Sequence, residues 1–407
     1  MSTNWQEAYE WLRKELEARG VDVARVEQKA MSLAVETPSW GYGDSGTRFA
    51  VFHQPGVPRT VFEKLEDAAQ VHKLTGIAPS VAIHIPWDRV DDFRELKRRA
   101  ESLGLKIGAV NPNLFQDPDY KFGSITHSDP RVRRKAIDHL LECVEIARQV
   151  GSKLLTPWFA DGTDYPGQGN FRWRRQWLEE ALREVYHAMP EDMTLALEYK
   201  FFEPAFYHTD IPDWGTSYLL CTKLGPRAKV LVDLGHHPQG TNVPYIVALL
   251  LYEGRLGGFH FNSRKYADDD LTAGSIDPYE LFLIFHELVE AEEQDPGRFQ
   301  VAYMLDQSHI TKPKIEAMIQ SVITVQEMYT RALLVNREAL HAAQQANRVI
   351  EAEELLRQAF WTDVGPILAK ARVDRGLPAD PLRAYRESGY QQRIENERRG
   401  GKPASWT

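Results

Sequence analysis

The sequence predicts an α/β protein built as a (β/α)8 TIM barrel, with helices before the barrel and a helical extension after it. Eight short runs rich in Val, Ile and Leu alternate with eight longer stretches of helical periodicity. Such alternation is typical of a parallel sheet that is buried on both faces. No GxGxxG motif follows the first run, so a closed barrel is favoured over an open doubly wound sheet.

Two amphipathic helices, predicted over residues 3–19 and 23–35, precede the repeating part. The predicted strands are GTRFAVF near residue 46, SVAIHI, KIGAVN, KLLTPW, TLALEY, KVLVDL, GGFHFN and VAYMLD. A last barrel helix begins near Lys314, and the chain stays helical beyond Leu334. The predicted parts are an N-terminal helical lead-in at 1–45, the barrel at 46–334 and a C-terminal helical extension at 335–407.

Composition narrows the class of protein. The 407 residues are 43% hydrophobic and 26% charged, which is ordinary for a globular protein with a large core. A net charge of −9 argues against a nucleic-acid partner, because phosphate contacts need a basic face. Only two cysteines occur, no secretory signal is recognisable and no window of 18 or more residues is apolar throughout. We therefore expect a cytoplasmic protein that contacts no membrane and takes a small ligand.

Acidic and imidazole side chains recur where the last four predicted strands end. They are Glu198, Asp233, His260 and Asp306. In an α/β barrel the carboxyl ends of all strands meet at one mouth, where active sites are built. A ligand set of oxygens and imidazoles without thiols suits Mg²⁺, Mn²⁺ or Co²⁺ better than a structural zinc. One such Asp alone is more often a helix cap, but the recurrence at four strand ends favours a metal site.

A second, more open metal site is predicted in the loops after strands six and seven. His236, Asp268 and Asp270 could form it, with water or substrate completing the ligand shell. Asp268 and Asp270 are two residues apart, so both can point the same way from an extended loop. Asp269 then faces elsewhere and is interpreted as a solvated charge. The sequence leaves His237 and His309 open between a direct and a supporting role.

A substrate wall is predicted from aromatic residues near the earlier strand ends. Its candidates are His84, Trp87 and Trp158, at or just past the ends of strands two and four, and Trp40, which precedes the predicted first strand. Several such rings at one mouth form an apolar wall for a sugar ring or a carbon chain. Lys200 lies two residues after Glu198, on the same side of an extended chain, and could donate to a substrate oxygen.

Four segments resemble L-rhamnose isomerases of the type found in Bacillus and Pseudomonas: LALEYKFFEPAFYHTDIPDWGTSY, VDLGHHPQGTN, GGFHFNSRKYADDDLTAGSIDPY and MLDQSH. The similarity runs through most of the barrel, and VDLGHH and YADDDL are specific to that group. Xylose isomerases are wider relatives with a two-metal mouth. One departure is Ser263, which stands where the family favours an acidic residue, at a position that is not a ligand.

The resemblance implies an aldose–ketose isomerase that interconverts L-rhamnose and L-rhamnulose, and also takes aldoses such as D-allose or L-mannose. It implies two divalent metal ions per subunit, Mn²⁺ first and otherwise Co²⁺ or Mg²⁺, a hydride shift and a homotetramer. Glu198, Asp233, His260 and Asp306 would hold the structural metal; His236, Asp268 and Asp270 would hold the catalytic one. Trp40, His84, Trp87, Trp158 and Lys200 would bind substrate, with Asp306, Lys200 and His84 in catalytic roles.

Two other functions remain open from the residues themselves. The first is a metal-dependent phosphodiesterase of the same barrel type, such as an endonuclease that cuts at abasic sites. It would need a histidine-rich trinuclear site and a basic surface, which the net charge disfavours. The second is a barrel that binds a sugar or a partner protein without catalysis, although seven retained ligand candidates argue against it.

Overall fold

The computed structural model describes residues 5–46, 50–202 and 207–399 and confirms the predicted (β/α)8 barrel. Within these residues the strands β1 to β10 are, in chain order, Glu36–Pro38, Ser80–Ile85, Lys106–Pro112, Leu154–Leu155, Gly162–Thr163, Thr194–Glu198, His208–Thr209, Ala228–Asp233, Leu256–Phe261 and Ala302–Leu305. The parallel barrel closes in the order β1, β2, β3, β4, β6, β8, β9, β10, while β5 and β7 form a separate antiparallel pair.

Helices surround the barrel, and further helices precede its first strand and follow its last helix. In the described part of the chain, α1 to α15 are Trp5–Ala18, Val23–Ser32, Val61–Thr75, Phe93–Ser102, Pro130–Val150, Phe171–Ala188, Trp214–Leu224, Val243–Tyr252, Pro278–Gln294, Lys314–Leu333, Arg337–Gln345, Val349–Trp361, Gly365–Val373, Pro381–Glu387 and Tyr390–Glu397. Short 3₁₀ helices lie at Ser39–Tyr42 and Pro118–Tyr120. Helices α3 to α10 each follow one barrel strand, and α13 packs against α1 and α2. Helix α14 contacts α3 and α10 of the barrel, and α12 contacts α10, so the C-terminal extension packs along its own barrel.

The prediction of the first barrel strand is wrong. That strand is β1, three residues long, and not the GTRFAVF run near residue 46. Residues 47–49 of that run lie outside the described residues, and Gly46 and Val51 on either side form an isolated antiparallel bridge. β1 pairs in parallel with β2 and with β10, and it thereby closes the barrel.

A buried carboxylate explains why this strand has no apolar pattern. Glu36 in β1 accepts a hydrogen bond from the backbone N–H of Ala109 in β3 at 2.8 Å. Gly108 leaves room for it, because a Cβ there would lie 1.3 Å from Glu36 Oε2. These partners are about seventy residues away in sequence, so a local apolar pattern cannot indicate the strand.

The barrel interior is filled by small and medium apolar side chains below the mouth. They are Ala82, Ala109, Ala196, Leu231 and Met304, with Trp40 above them. Cys143 and Cys221 are buried in α5 and α7, as small core residues. Among the described helices, none has both the length and the apolar character that crossing a membrane requires.

Candidate metal centre

Four side chains at the carboxyl ends of β6, β8, β9 and β10 meet in one buried cluster. They are Glu198, Asp233, His260 and Asp306, and their potential ligand atoms all lie within 4.8 Å of one another. His260 Nδ1 is 3.2 Å from Glu198 Oε1 and 3.6 Å from Asp306 Oδ2. The structure therefore brings together the four residues that the sequence assigned to the first metal.

A second cluster shares one residue with the first. Asp233, His236 and Asp268 also place their ligand atoms within 4.8 Å of one another, and His236 Nε2 is 3.4 Å from Asp268 Oδ2. The sequence assigned Asp233 to the first site alone, whereas the structure places it between both. Its carboxylate is held there by the N–H of Gly235 at 2.6 Å and by Asn262 Nδ2 at 2.9 Å.

The other residues of the DDDL segment occupy different positions. Asp270 belongs to neither cluster of described residues, and its backbone adopts the left-handed conformation with φ of 46°. Burial, followed by repulsion from Asp268 and Asp306, raises the pKa of its carboxyl well above the usual range. Asp269 accepts the backbone N–H groups of Lys265 and Tyr266 at 2.6 and 2.8 Å, so it serves the loop itself.

The centre carries an excess of negative charge. Burial alone lowers the pKa of His260, but Glu198 and neighbouring carboxylates raise it to about 10. His236 behaves in the same way: burial lowers its pKa, while Asp233 and Asp268 raise it to about 9. Both imidazoles thus hold a proton that compensates the surrounding carboxylates at neutral pH, and a divalent cation could replace these protons.

The residues fit a hard or borderline divalent cation. Asp268 Oδ1 is buried and has no hydrogen-bond partner within the described residues. Gly235 leaves space beside it, because a Cβ there would lie 2.7 Å from Asp268 Oδ1 and 3.1 Å from Asp233 Oδ1. The donors are carboxylate oxygens and imidazole nitrogens, which suit Mn²⁺, Co²⁺ and Mg²⁺.

Aromatic rings wall one side of the centre. His84 stacks on Trp87 with 3.8 Å between ring centroids, and Trp40 meets His84 edge-on at 5.6 Å. Trp40 also donates its indole N–H to Asp306 Oδ1 at 2.8 Å, which ties the wall to the first cluster. Burial lowers the pKa of His84 well below its usual value, so its imidazole is neutral.

The wall continues through a ring that the sequence did not single out. Phe115 lies 6.0 Å from Trp87 and 4.9 Å from Trp158, and it joins the two predicted parts of the wall. The Lys200 ammonium lies 4.8 Å from the centre of the Trp158 ring and 2.6 Å from Asp268 Oδ2. All five predicted substrate residues thus border the same mouth. The signal for Phe115 was its place just after the third strand.

Supporting residues hold the ligand candidates. The hydroxyl of Tyr199 lies 2.6 Å from His237 Nε2, and the Tyr199 carbonyl oxygen lies 3.0 Å from His236 Nδ1. Burial lowers the pKa of His237 to about 3, so it is a neutral partner that positions its neighbours. Sequence reasoning missed Asn262, although its spacing of two residues from His260 on β9 indicated the same side of the strand.

Comparisons with known proteins point to one family. A family described as "Xylose isomerase-like TIM barrel" matches residues 67–288. A protein named "probable sugar isomerase" from Rhizobium meliloti is 49% identical over 395 residues, which cover 96% of this chain and 92% of that protein. Xylose isomerase from Thermus thermophilus is 28% identical over 271 residues, covering 59% of this chain and 66% of that enzyme.

A solved structure agrees on the fold. The structure of an L-ribulose 3-epimerase covers 78% of this chain and 98% of its own, with a TM-score of 0.55 and 15% sequence identity. At that identity the likeness shows the barrel architecture alone.

Proposed function

We propose that this chain, which belongs to the xylose isomerase-like TIM barrel family of sugar isomerases and epimerases, is a metal-dependent aldose–ketose isomerase that interconverts L-rhamnose and L-rhamnulose. One observation carries the proposal: two carboxylate–imidazole clusters share Asp233 beside an aromatic wall. The choice of L-rhamnose rests on the sequence resemblance. D-Allose and L-mannose are expected as weaker substrates.

Two bound divalent cations would hold adjacent oxygens of the open-chain sugar and polarise its carbonyl. Glu198, Asp233, His260 and Asp306 would hold one of them. His236 and Asp268, with Asp233 shared and Asp270 as a further predicted ligand, would hold the other.

The wall supplies polar atoms that suit a sugar. His84 Nδ1 and Trp158 Nε1 are buried and lack hydrogen-bond partners among the described residues. His84 Nδ1 can accept a hydrogen bond from a sugar hydroxyl or donate one to it, according to the tautomer of the ring, whereas the indole N–H of Trp158 can only donate a hydrogen bond. Such groups fix the orientation of a ligand whose ring or carbon chain lies against the apolar rings.

The hydrogen on C2 moves to C1 with its electron pair, and the proton of the C2 hydroxyl moves to the C1 oxygen. Asp306 is suited to carry that proton, because Trp40 fixes one of its oxygens and the other faces His260. Lys200 is held by Asp268, so its ammonium acts as a donor to a substrate oxygen and not as the base for a C–H bond.

The test is an assay of ketose formation from a panel of aldoses after chelation with EDTA and readdition of Mn²⁺, Co²⁺ or Mg²⁺. We expect chelation to abolish turnover, Mn²⁺ or Co²⁺ to restore it, and L-rhamnose to give the highest kcat/KM. With substrate deuterated at C2, a hydride shift keeps the label at C1 of the ketose. Loss of the label to solvent would show an enediol pathway in its place.

Three outcomes would contradict the proposal. Turnover that survives thorough removal of metal would exclude the two-metal account. Conversion of a ketose into its epimer, without any aldose, would make the protein an epimerase. Saturable binding of sugars without any product would make it a binding protein.

Assembly into a homotetramer also stays a prediction. Several large apolar side chains are exposed on one chain, among them Tyr165 and Trp361, at 72% each. Light scattering after size-exclusion chromatography would measure the oligomeric mass, and a monomeric mass would contradict the prediction.

A further inference from the structure

We propose that His309 is a positioning residue that holds the loop of Asp268 and Asp270 at the metal centre, through a hydrogen bond to the Asp270 carbonyl oxygen. The inference rests on the proposed two-metal function. His309 follows β10, whereas the loop follows the neighbouring strand β9. One buried side chain therefore links two adjacent loops that both carry ligand candidates.

The geometry fixes the proton on the His309 ring. His309 Nε2 lies 3.0 Å from the carbonyl oxygen of Asp270. A carbonyl oxygen can only accept, so Nε2 carries the proton and donates it. The contact reaches the backbone of Asp270 and leaves its carboxylate available for other partners.

The loop needs such a hold because of its backbone conformation. Asp270 has a positive φ of 46°, a conformation that residues with a side chain seldom adopt. That backbone preference favours movement of the loop away from the centre, and the hydrogen bond from His309 to the Asp270 carbonyl oxygen opposes the movement.

Hydrogen bonds from other side chains fix the backbone at His309. The buried Lys314 ammonium donates to the His309 carbonyl oxygen, and Gln54 Nε2 donates to the Ile310 carbonyl oxygen at 2.7 Å. Lys312 Nζ reaches across to Thr272 Oγ1 at 2.5 Å and holds the far end of the same loop. The segment after β10 thus serves as a rigid support for the segment after β9.

The test measures binding of Mn²⁺ and not only turnover. Free Mn²⁺ is followed by electron paramagnetic resonance during titration of the full-length protein, which resolves the two sites by affinity. We expect His309→Leu to weaken Mn²⁺ binding at the site of His236 and Asp268 by roughly ten- to a hundredfold. Binding at the other site should not change. His309→Gln places its amide nitrogen near the position of Nε2, and should restore wild-type binding at both sites.

Two further variants make the result decisive. His309→Asn keeps a polar side chain but is too short to reach Asp270, so we expect it to weaken the same Mn²⁺ site. It therefore keeps the test valid if the leucine variant folds poorly. His286→Leu replaces a similarly buried histidine in α9, away from the mouth, and should bind two Mn²⁺ ions normally.

The outcomes separate this inference from the proposed function. A wild-type protein that binds fewer than two Mn²⁺ ions would overturn both. Two wild-type sites that persist unchanged in the leucine and asparagine variants would overturn only the role of His309. Equal weakening of both sites, or failure of His309→Gln to restore binding, would also overturn it.

Discussion

Two buried charged clusters lie near the barrel mouth, and they differ in how their polar atoms are satisfied. One is the candidate metal centre. The other, the Arg174 cluster, consists of Ser124, Thr126, Asp161, Arg174 and Asp210. Asp161 accepts four hydrogen bonds of 2.6–2.9 Å from the backbone and hydroxyl groups of Ser124 and Thr126. Arg174 binds Asp210 through Nε and Nη2.

The polar atoms of the candidate metal centre are not all satisfied in this way. Its carboxylates face one another, its two imidazoles have raised pKa values, and Asp268 Oδ1 has no partner within the described chain. Hydrogen bonds and Arg174 satisfy the carboxylates of the Arg174 cluster, whereas the candidate metal centre leaves one buried carboxylate oxygen without a partner among the described residues, which favours a bound cation there. This difference supports a structural role for the Arg174 cluster and the proposed metal site at the other cluster.

Backbone hydrogen bonds connect the Arg174 cluster to the segment that carries Lys200. The Asp210 N–H donates to the Asp161 carbonyl oxygen at 2.8 Å, and the Lys200 N–H donates to the Ile211 carbonyl oxygen at 3.1 Å. The satisfied cluster thus fixes the segment against which Lys200 is placed. This geometry is consistent with a structural role for the Arg174 cluster, and with the proposal that the chemistry takes place at the candidate metal centre.

The largest expected effect is that of Asp268→Asn. The amide cannot replace an anionic ligand, and Lys200 loses its ion pair with Asp268, so we expect kcat to fall by roughly a thousandfold, or about 4 kcal/mol of transition-state stabilisation. Circular dichroism should not change, because Asp268 lies in the loop between β9 and α9, outside every helix and barrel strand. Steady-state kinetics with saturating Mn²⁺ measure the effect, and a near-normal rate would remove Asp268 from the centre.

Arg174→Met should lower the stability of the fold and leave metal binding intact, the opposite of what we expect for Asp268→Asn. It leaves Asp210 buried without its cation, next to Asp161, so we expect unfolding to cost about 3 kcal/mol less free energy. Urea unfolding measures this loss, while Mn²⁺ stoichiometry should remain that of the wild type. The matched control is Arg172→Met, at an exposed position of the same helix α6, with a change within about 0.5 kcal/mol. A loss of bound Mn²⁺ in Arg174→Met alone would erase the distinction between the clusters.

The sequence predicted the two clusters unequally. The convergence of Glu198, Asp233 and His260 was predictable because they lie at the carboxyl ends of parallel strands, and such ends meet at one mouth in any closed barrel. That the cluster binds metal stays a prediction. The Arg174 cluster comes from three loops and one helix, without periodic spacing, so nothing local indicates that its members meet. The sharing of Asp233 between two clusters was missed for a similar reason, since it depends on distances and not on strand order.

The first strand shows the same limit for the fold. Seven predicted strands correspond to barrel strands because each has an apolar run between helical stretches. β1 contains Glu36, whose partners lie on β3, and only the closed barrel brings them together. Local patterns therefore predict elements that are apolar by themselves, and they miss an element that is stabilised by a distant polar contact.

The smallest expected effect is that of Asp269→Asn, next to the most sensitive position. Asp269 accepts two backbone N–H groups within its own loop, and an asparagine oxygen can accept the same two. We therefore expect kcat/KM and Mn²⁺ affinity to stay within about twofold of the wild type, since a change of that size corresponds to only about 0.4 kcal/mol. Asp268→Asn, measured under identical conditions, is the matched comparison, because the two substitutions remove the same formal charge at adjacent positions. A large loss in Asp269→Asn would mean that the net charge of the loop controls the centre, and that the pairing of individual carboxylates does not.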